Sequence, residues 1–261
     1  MDLGLSGKVA VVGASSKGLG KASALSLARE GAHVTICART SSDLDRAAAQ
    51  VKETGAEVLA VPADLSTAEG VNSVVDAAVA RFGGIDILVA NTGGPPRGQF
   101  GDLTDDDWRQ AFEMVTLNFV RFVRAVLPHM RNRPWGRIVG IQSSSVKQPV
   151  PGLDLSNGIR PGLAGLVKAM MPELAADDIT INLVLPGSFR TSRTTPGAEN
   201  EPPPAVTPES RAQMRANGIP AGRFGEAGEL GDLVAFLASA RAGYITGAAY
   251  QIDGGSIRSN L

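Results

Sequence analysis

The sequence contains few of the residues from which metal sites and disulfides are built. Cys37 is the only cysteine, so no disulfide can form within the chain, and His33 and His129 are the only histidines. A structural zinc site is not expected, because such sites need four cysteine or histidine ligands. Tyrosine is almost as scarce, with Tyr244 and Tyr250 alone, both near the C-terminus. We predict that the protein binds no metal.

An excess of charge of one sign is also missing. The 25 Lys and Arg residues balance 26 Asp and Glu residues, which gives a net charge of -1. Nucleic acids and anionic membranes are usually bound through a positive excess, so neither is an expected partner. The N-terminus lacks a signal-peptide pattern, and no stretch of 18 residues is continuously apolar. We therefore expect a cytoplasmic protein that acts on a small molecule.

Glycine is abundant by contrast. It accounts for 31 of the 261 residues, about 12%, whereas about 7% is usual in proteins. Short β-branched apolar runs alternate with longer segments of helical period. Predicted strands are 8–12, 33–38, 57–62, 85–90, 136–141, 179–185 and 248–252; predicted helices are 19–31, 42–54, 67–82, 104–130, 160–176 and 228–238. Ser41 or Ser42 is expected to cap the second helix, and Thr104 with Asp107 to form a capping box.

Continuous apolar strands that alternate with helices are typical of a parallel sheet covered on both faces. We predict an α/β fold with a Rossmann-type, doubly wound parallel β-sheet in three α/β/α layers, as one domain over residues 1–261. Residues 188–222 interrupt the alternation with six prolines. This segment is either a disordered insert or a lid over the substrate, because long loops in compact domains usually have one of these two characters.

The turn after the first predicted strand reads Gly13-Ala14-Ser15-Ser16-Lys17-Gly18-Leu19-Gly20. Glycines at this spacing between a strand and a helix are typical of a dinucleotide-binding turn. The free N–H groups and the positive end of the helix dipole attract the phosphates. We predict cofactor contacts from Gly13, Ser15, Ser16, Lys17, Gly18, Leu19 and Gly20.

The second predicted strand ends on Ala38-Arg39-Thr40. An NAD site usually has an acidic residue here, which binds the ribose 2′-hydroxyl. Two cations, Lys17 and Arg39, and no carboxylate suit a 2′-phosphate instead. We therefore predict NADP(H) in preference to NAD(H), with Arg39 and Thr40 at the adenosine ribose, although either cation alone could be a solvated surface charge.

Further motifs follow this turn in a fixed order. They are Asp64-Leu65, Asn91-Thr92-Gly93-Gly94, Asn118 within a helix, Ser143 after the fifth strand, Pro186-Gly187 with Thr191, and Asp253-Gly254-Gly255. This series resembles the short-chain dehydrogenase/reductase family over nearly the whole chain. The resemblance implies a homotetramer or a homodimer, and cofactor contacts from Asp64, Leu65, Asn91, Thr92, Gly93, Arg160, Pro186, Gly187 and Thr191.

The chain departs from the family at the catalytic motif. The family has Tyr-x-x-x-Lys about 13 residues beyond its serine, but this sequence reads Ser156-Asn157-Gly158-Ile159-Arg160 at that place. A phenol has a pKa near 10 that a neighbouring ammonium lowers, so it can supply a proton. A serine hydroxyl is shorter and a far weaker acid. Arginine keeps its positive charge and can still bind ribose hydroxyls.

Three interpretations of the protein remain open, and the candidate catalytic residues are Asn118, Ser143, Ser156 and Arg160. The protein could be an NADPH-dependent carbonyl or ketoacyl reductase in which Ser143, with or without Ser144, polarises the carbonyl. The proton would then come from Lys147 or from a water held by Ser156, Asn118 and Arg160. It could instead bind NADP without turnover as a scaffold, or catalyse a dehydration, isomerisation or cyclisation. We favour the reductase, because the dinucleotide motifs are complete from Gly13 to Thr191.

Overall fold

The computed structural model describes residues 1–195 and 205–259. Its strands are β1 (Val9–Val12), β2 (His33–Ala38), β3 (Val58–Pro62), β4 (Ile87–Ala90), β5 (Gly136–Ile141), β6 (Ile179–Pro186), β7 (Phe189–Arg190), β8 (Gly225–Glu226) and β9 (Ala249–Ile252). Seven of them form one parallel sheet in the order β3-β2-β1-β4-β5-β6-β9, and β7 pairs with β8 outside it. The chain order reverses between β1 and β4, which is where doubly wound sheets bind ligands. The predicted Rossmann-type fold is confirmed.

Helices cover both faces of the sheet. They are α1 (Gly18–Arg29), α2 (Ser41–Lys52), α3 (Ala68–Phe82), α4 (Asp105–Phe112), α5 (Asn118–Arg131), α6 (Asp154–Ala175), α7 (Pro208–Ala216) and α8 (Ala227–Leu237). Successive strand residues point to opposite faces. Val12 therefore belongs to the core under α1, α2 and α8, while its neighbour Val11 belongs to the core under α3, α5 and α6. Strands that are buried on both faces need continuous apolar runs, as the sequence has.

The predicted start of α6 and the predicted cap of α2 were wrong, whereas the other predicted helix starts lie within one residue of the observed ones. Helix α6 begins at Asp154 rather than at residue 160, so Ser156 lies in its first turn and Pro161 inside it. Helix α2 begins at Ser41, with Thr40 as its N-cap in place of either predicted serine. The helix backbone therefore fixes the direction in which the Ser156 side chain leaves the chain.

The segment predicted as one helix over residues 104–130 has three parts. The capping box of Thr104 and Asp107 starts α4 as predicted. A π-helical turn over Glu113–Leu117 follows, and α5 then begins at Asn118. Such turns are rare and often lie at functional sites.

The segment 188–222 is folded in the parts that the structure describes. It contributes β7 and α7, and Thr207 caps α7 by accepting a hydrogen bond from the Ser210 N–H. The segment is therefore not a wholly disordered insert, because these parts have regular secondary structure. Residues 196–204 lie outside the described residues. The lid remains a prediction. No helix found in the described ranges has both the length and the apolar character needed to cross a membrane.

Candidate active site

The glycine-rich turn leaves β1 and enters α1 through two left-handed residues. Ala14 has φ +44° and Gly18 has φ +55°. A Cβ on Gly13 would overlap the Asn91 carbonyl oxygen, and one on Gly20 would overlap the Ala14 carbonyl oxygen. Two of the three glycines are therefore required by close packing of the turn itself, and Gly18 is required by its backbone conformation.

Ser15 and Asn91 hold this turn in place. Ser15 is fully buried; its hydroxyl donates to the Val12 carbonyl (2.7 Å) and accepts from the Cys37 N–H (3.0 Å). Asn91 Nδ2 donates to the Gly13 carbonyl at 3.1 Å. The fold itself uses the Ser15 hydroxyl, and the predicted cofactor contact of Ser15 stays a prediction. Burial raises the pKa of the Cys37 thiol to about 12, so this thiol is not a nucleophile.

A cleft of about 680 Å³ opens beside the turn, at the carboxyl ends of the strands. Its walls include the candidate catalytic residue Asn118 and many of the predicted cofactor residues: Ser16, Lys17, Arg39, Thr40, Asp64, Leu65, Thr92 and Gly93. Four further lining residues come from α4 and the π-helical turn, namely Arg109, Gln110, Glu113 and Met114. The sequence analysis missed these four, because no motif marks them.

Two cations without a carboxylate were predicted near the end of β2, but the structure places a carboxylate there, that of Asp43. Lys17 Nζ lies 2.7 Å from Asp43 Oδ2, and Asp43 also pairs with Arg46. A carboxylate is therefore present at this end of the cleft, and the hydrogen bond from Lys17 lowers its pKa. Arg39 is exposed and forms no ion pair within the described part of the chain. Its charge adds to the hydrogen bonds from Ser66 that lower the pKa of Asp64.

Asn118 presents an open acceptor to the cleft. Its Nδ2 donates to the Leu65 carbonyl, while its Oδ1 is buried without a hydrogen-bond partner among the described residues. The side chain is 1% exposed. A buried amide oxygen without a donor is unfavourable by about 1–3 kcal/mol. The position therefore suits a hydroxyl or a water that donates to it.

The serines after β5 form a network that differs from the family pattern. Ser143 caps the short 3₁₀ turn Ser144–Val146 by accepting from the Ser145 N–H. The Ser145 and Ser156 hydroxyl oxygens lie 2.9 Å apart, and both side chains are buried. Ser156 thus has Ser145 as its direct partner, a residue that the sequence analysis did not select. The Ser143 hydroxyl keeps its own proton available for donation.

Arg160 lies one turn after Ser156 on α6. It is 6% exposed, and its Nη1 donates to Gln142 Oε1 at 2.7 Å. Its Nε has no hydrogen-bond partner among residues 1–195 and 205–259. Burial, together with the positive charge of Arg193, lowers the pKa of Arg160 to about 10, so it stays protonated at neutral pH.

The loop after β6 lies over the glycine-rich turn. A Cβ on Gly18 would be 3.6 Å from Thr191 Cγ2, and the Gly187 N–H donates to the Ile252 carbonyl at 3.0 Å. Arg193 Nη2 donates to the Pro95 carbonyl at 3.1 Å, which joins the loops after β6 and β4. The fold thus brings the predicted Pro186-Gly187 and Thr191 segment to the same edge of the sheet as the turn.

Together, the parallel sheet, the left-handed glycine turn and the cleft at the point where strand order reverses define a dinucleotide-binding α/β protein. The family model described as enoyl-(acyl carrier protein) reductase matches residues 13–256. The chain belongs to the short-chain dehydrogenase/reductase family, whose members are oxidoreductases.

Three relatives show how far this similarity extends. The chain is 34% identical over 254 residues to dehydrogenase/reductase SDR family member 4 of Bos taurus, covering 97% of this chain and 88% of that one. It is 33% identical over 260 residues to the 3-oxoacyl-[acyl-carrier-protein] reductase FabG of Pseudomonas aeruginosa, covering 98% and 100%. The structure of L-sorbose reductase from Gluconobacter frateurii, complexed with NADPH and L-sorbose, matches with a TM-score of 0.89 and 33% identity, covering 99% and 100%.

Proposed function

We propose that the protein is an NADPH-dependent reductase of carbonyl compounds whose proton relay uses serine hydroxyls instead of a tyrosine. The observation that carries this proposal is the buried pair of Ser145 and Ser156 beside Arg160, at the same sheet edge as the dinucleotide turn. The names of two relatives support it, since one is a ketoacyl reductase and another is bound to NADPH.

The residues of the cleft fit a phosphorylated dinucleotide. The left-handed backbone at Gly18 opens the turn towards the helix N-terminus, which attracts phosphate. Arg39, which has no carboxylate partner in the described ranges, would bind a 2′-phosphate, and the paired Lys17 would add a weaker attraction. Thr40, Asp64 and Leu65 would surround the adenosine, and Thr92, Gly93, Pro186, Gly187 and Thr191 would lie along the rest of the cofactor. When bound, NADPH supplies a hydride.

The protein's own groups would stabilise charge on the substrate oxygen. Ser143 can donate a hydrogen bond to a carbonyl, since its oxygen already accepts from the Ser145 N–H. The protonated guanidinium of Arg160 favours negative charge nearby. Arg160 stays protonated at neutral pH, and Ser143 acts only as a hydrogen-bond donor, so the role of both groups is electrostatic.

Proton delivery would use the hydroxyl pair and a water. Ser156 can pass a proton to the substrate oxygen and take one from Ser145, which lies within hydrogen-bond distance. The unpartnered Oδ1 of Asn118 would hold the water that replenishes the relay. Lys147, half-buried after the 3₁₀ turn, is the alternative donor.

The proposal extends to assembly and location. A homotetramer or homodimer is what the family resemblance implies, and the cytoplasm is the location expected from the sequence without a signal-peptide pattern. The competing hypotheses are an NADP-binding scaffold and a non-redox enzyme.

The direct test is NADPH consumption, followed at 340 nm, against ketones and 3-oxoacyl thioesters. We expect turnover with at least one carbonyl compound, and little with NADH. Tight NADPH binding with no consumption would contradict the reductase and favour the scaffold. The double variant Ser156→Tyr/Arg160→Lys restores the family pair. Faster turnover of this variant would show that proton delivery limits the wild type.

A further inference from the structure

Arg160 carries a buried positive charge that the protein leaves largely uncompensated. The side chain is 6% exposed, its Nη1 donates to the neutral amide of Gln142, and its Nε is unpartnered among the described residues. The charge that acts on it belongs to another cation, Arg193. A buried cation without an anion is unfavourable. The surroundings of Arg160 therefore favour a ligand with negative charge.

Arg193 brings a second guanidinium to the same place. Its Nη2 donates to the Pro95 carbonyl, so its side chain reaches from the loop after β6 to the loop after β4. Strand β5 lies between β4 and β6 in the sheet. Arg160 donates to Gln142 beyond the carboxyl end of that strand, and it is close enough to Arg193 for the two charges to interact. Gly94 leaves room for the Arg193 side chain, because a Cβ there would overlap its guanidinium.

We propose that Arg160 and Arg193 bind a carboxylate of the substrate, so that the substrates are small oxo acids. This inference rests on the proposed reductase function. A guanidinium binds a carboxylate through two parallel N–H donors, and the unpartnered Nε–H of Arg160 is one such donor. A carboxylate between the two cations also removes the repulsion between them. Serine hydroxyls at the end of β5 would then face the neighbouring carbonyl.

A cofactor phosphate offers the same anionic chemistry and is the alternative source. The glycine-rich turn follows β1, and β4 separates β1 from β5 in the sheet. Arg160, which bonds to Gln142 after β5, therefore lies two strands from this turn, whereas Arg193 is two residues after Thr191, which packs against Gly18. The place of Arg160 favours the substrate as the source of the anion, and an NADPH titration distinguishes the two sources.

The test compares acids with their uncharged esters. We would measure kcat/KM for benzoylformate and acetoacetate and for the methyl ester of each, with wild type and Arg193→Gln. Arg193 is the primary variant because its side chain is exposed and lies outside the proposed proton relay, whereas Arg160 also has a proposed role at the substrate oxygen. The exposed Arg29 at the end of α1 provides the matched control, Arg29→Gln.

We expect the wild type to prefer each acid over its ester by at least about tenfold, as for hydrogen bonds to charged groups. Arg193→Gln should remove most of that preference by slowing the acids alone, and Arg29→Gln should keep it. NADPH affinity, from fluorescence titration, should not change in Arg193→Gln. Equal kcat/KM for acids and esters in the wild type, or a loss of NADPH affinity with both substrate types slowed alike, would overturn the proposal.

A binding measurement separates this inference from the reductase proposal. Benzoate and benzamide have the same shape but differ in charge, so their effects on the melting temperature report an anion site without any turnover. We expect benzoate to stabilise the wild type more than benzamide, and the difference to vanish in Arg193→Gln. If no carbonyl compound is reduced but this difference is present, the anion site stands and the reductase fails. No difference in the wild type would refute the anion site itself.

Discussion

Two buried arginines, at opposite edges of the same sheet, have opposite surroundings. Arg137, at the start of β5, is 2% exposed and donates to the carbonyls of Gly136 (2.8 Å) and Asp178 (2.9 Å). Its guanidinium also lies 4.3 Å from the centre of the Trp135 ring. Arg160, beyond the other end of β5, has one neutral partner and an unpartnered Nε in the described chain.

The difference separates a structural charge from one that awaits a ligand. Buried polar groups are normally hydrogen-bonded, so an under-satisfied group needs an explanation. At the amino end of β5, the carbonyls of Gly136 and Asp178 accept hydrogen bonds from Arg137, which joins β5 to the turn before β6. At the carboxyl end, Arg160 and Asn118 keep open hydrogen-bonding positions beside the cleft. We infer that the arginine at the amino end of β5 serves stability, and that the arginine beyond its carboxyl end serves function.

The largest expected effect is on stability. Arg137→Met should lower the free energy of unfolding by about 3 kcal/mol, because two buried carbonyls lose their donor. Arg160→Met should change it by less than about 1 kcal/mol, since it also removes an unpaired buried charge. Urea denaturation of both variants measures the contrast. Equal losses would show that Arg160 is as structural as Arg137.

The next largest effect concerns the hydroxyl pair. Ser156→Ala should lower kcat about 100-fold, as for loss of a proton-transfer group, with little change in KM. Ser145→Ala should also lower kcat, but less, because Ser145 acts through Ser156. A solvent deuterium isotope effect on kcat should change in both variants. Unchanged kcat in Ser156→Ala would exclude the serine relay and favour Lys147.

Cofactor choice provides a smaller effect at the same edge. Arg39→Gln should weaken NADPH about tenfold, through loss of a charged contact to the 2′-phosphate, and leave NADH nearly unchanged. Lys17→Gln should do less, because Asp43 already pairs with that ammonium. Fluorescence titration of both coenzymes measures these affinities. Equal weakening of NADPH and NADH would contradict the assigned role of Arg39.

A third arginine, Arg223, gives the smallest effect. Arg223 donates two hydrogen bonds to Glu229, and this pairing lowers the pKa of Glu229 to about 2. The carboxylate therefore stabilises the fold above about pH 4.5 and loses this contribution as the pH falls towards 2. Glu229→Gln should lower the melting temperature by about 1–3 °C at pH 7.

The control for this variant is the same measurement of the melting temperature at lower pH. As the pH falls from 4.5 towards 2, the difference in melting temperature between wild type and Glu229→Gln should disappear. A constant difference across that range would show that the ion pair is not its cause.

The sheet could be predicted from the sequence because burial on both faces demands uninterrupted apolar strands. The cleft followed from the same pattern, since Gly13, Gly18 and Gly20 have few alternatives where the chain turns so tightly. The start of α6 could not be predicted. Leu153 offers no capping side chain, and Pro161 resembles the proline that often begins a helix.

The side-chain partners at the site could not be predicted, because sequence spacing does not encode them. The pairs Lys17–Asp43 and Ser145–Ser156 each join residues from different elements. The use of the Ser15 hydroxyl within the fold depends on β2, which lies beside β1 in the sheet. Such contacts arise from tertiary packing, so local motifs identified the residues without their partners.

The most direct test of the account is to follow the hydride. The wild type would be incubated with NADPH deuterated at C4 and with each carbonyl compound, and the products analysed by mass spectrometry. The account predicts an alcohol with one deuterium on the former carbonyl carbon, formed much more slowly by Ser156→Ala. A product without deuterium, or no product despite bound NADPH, would contradict a reductase that works without its tyrosine.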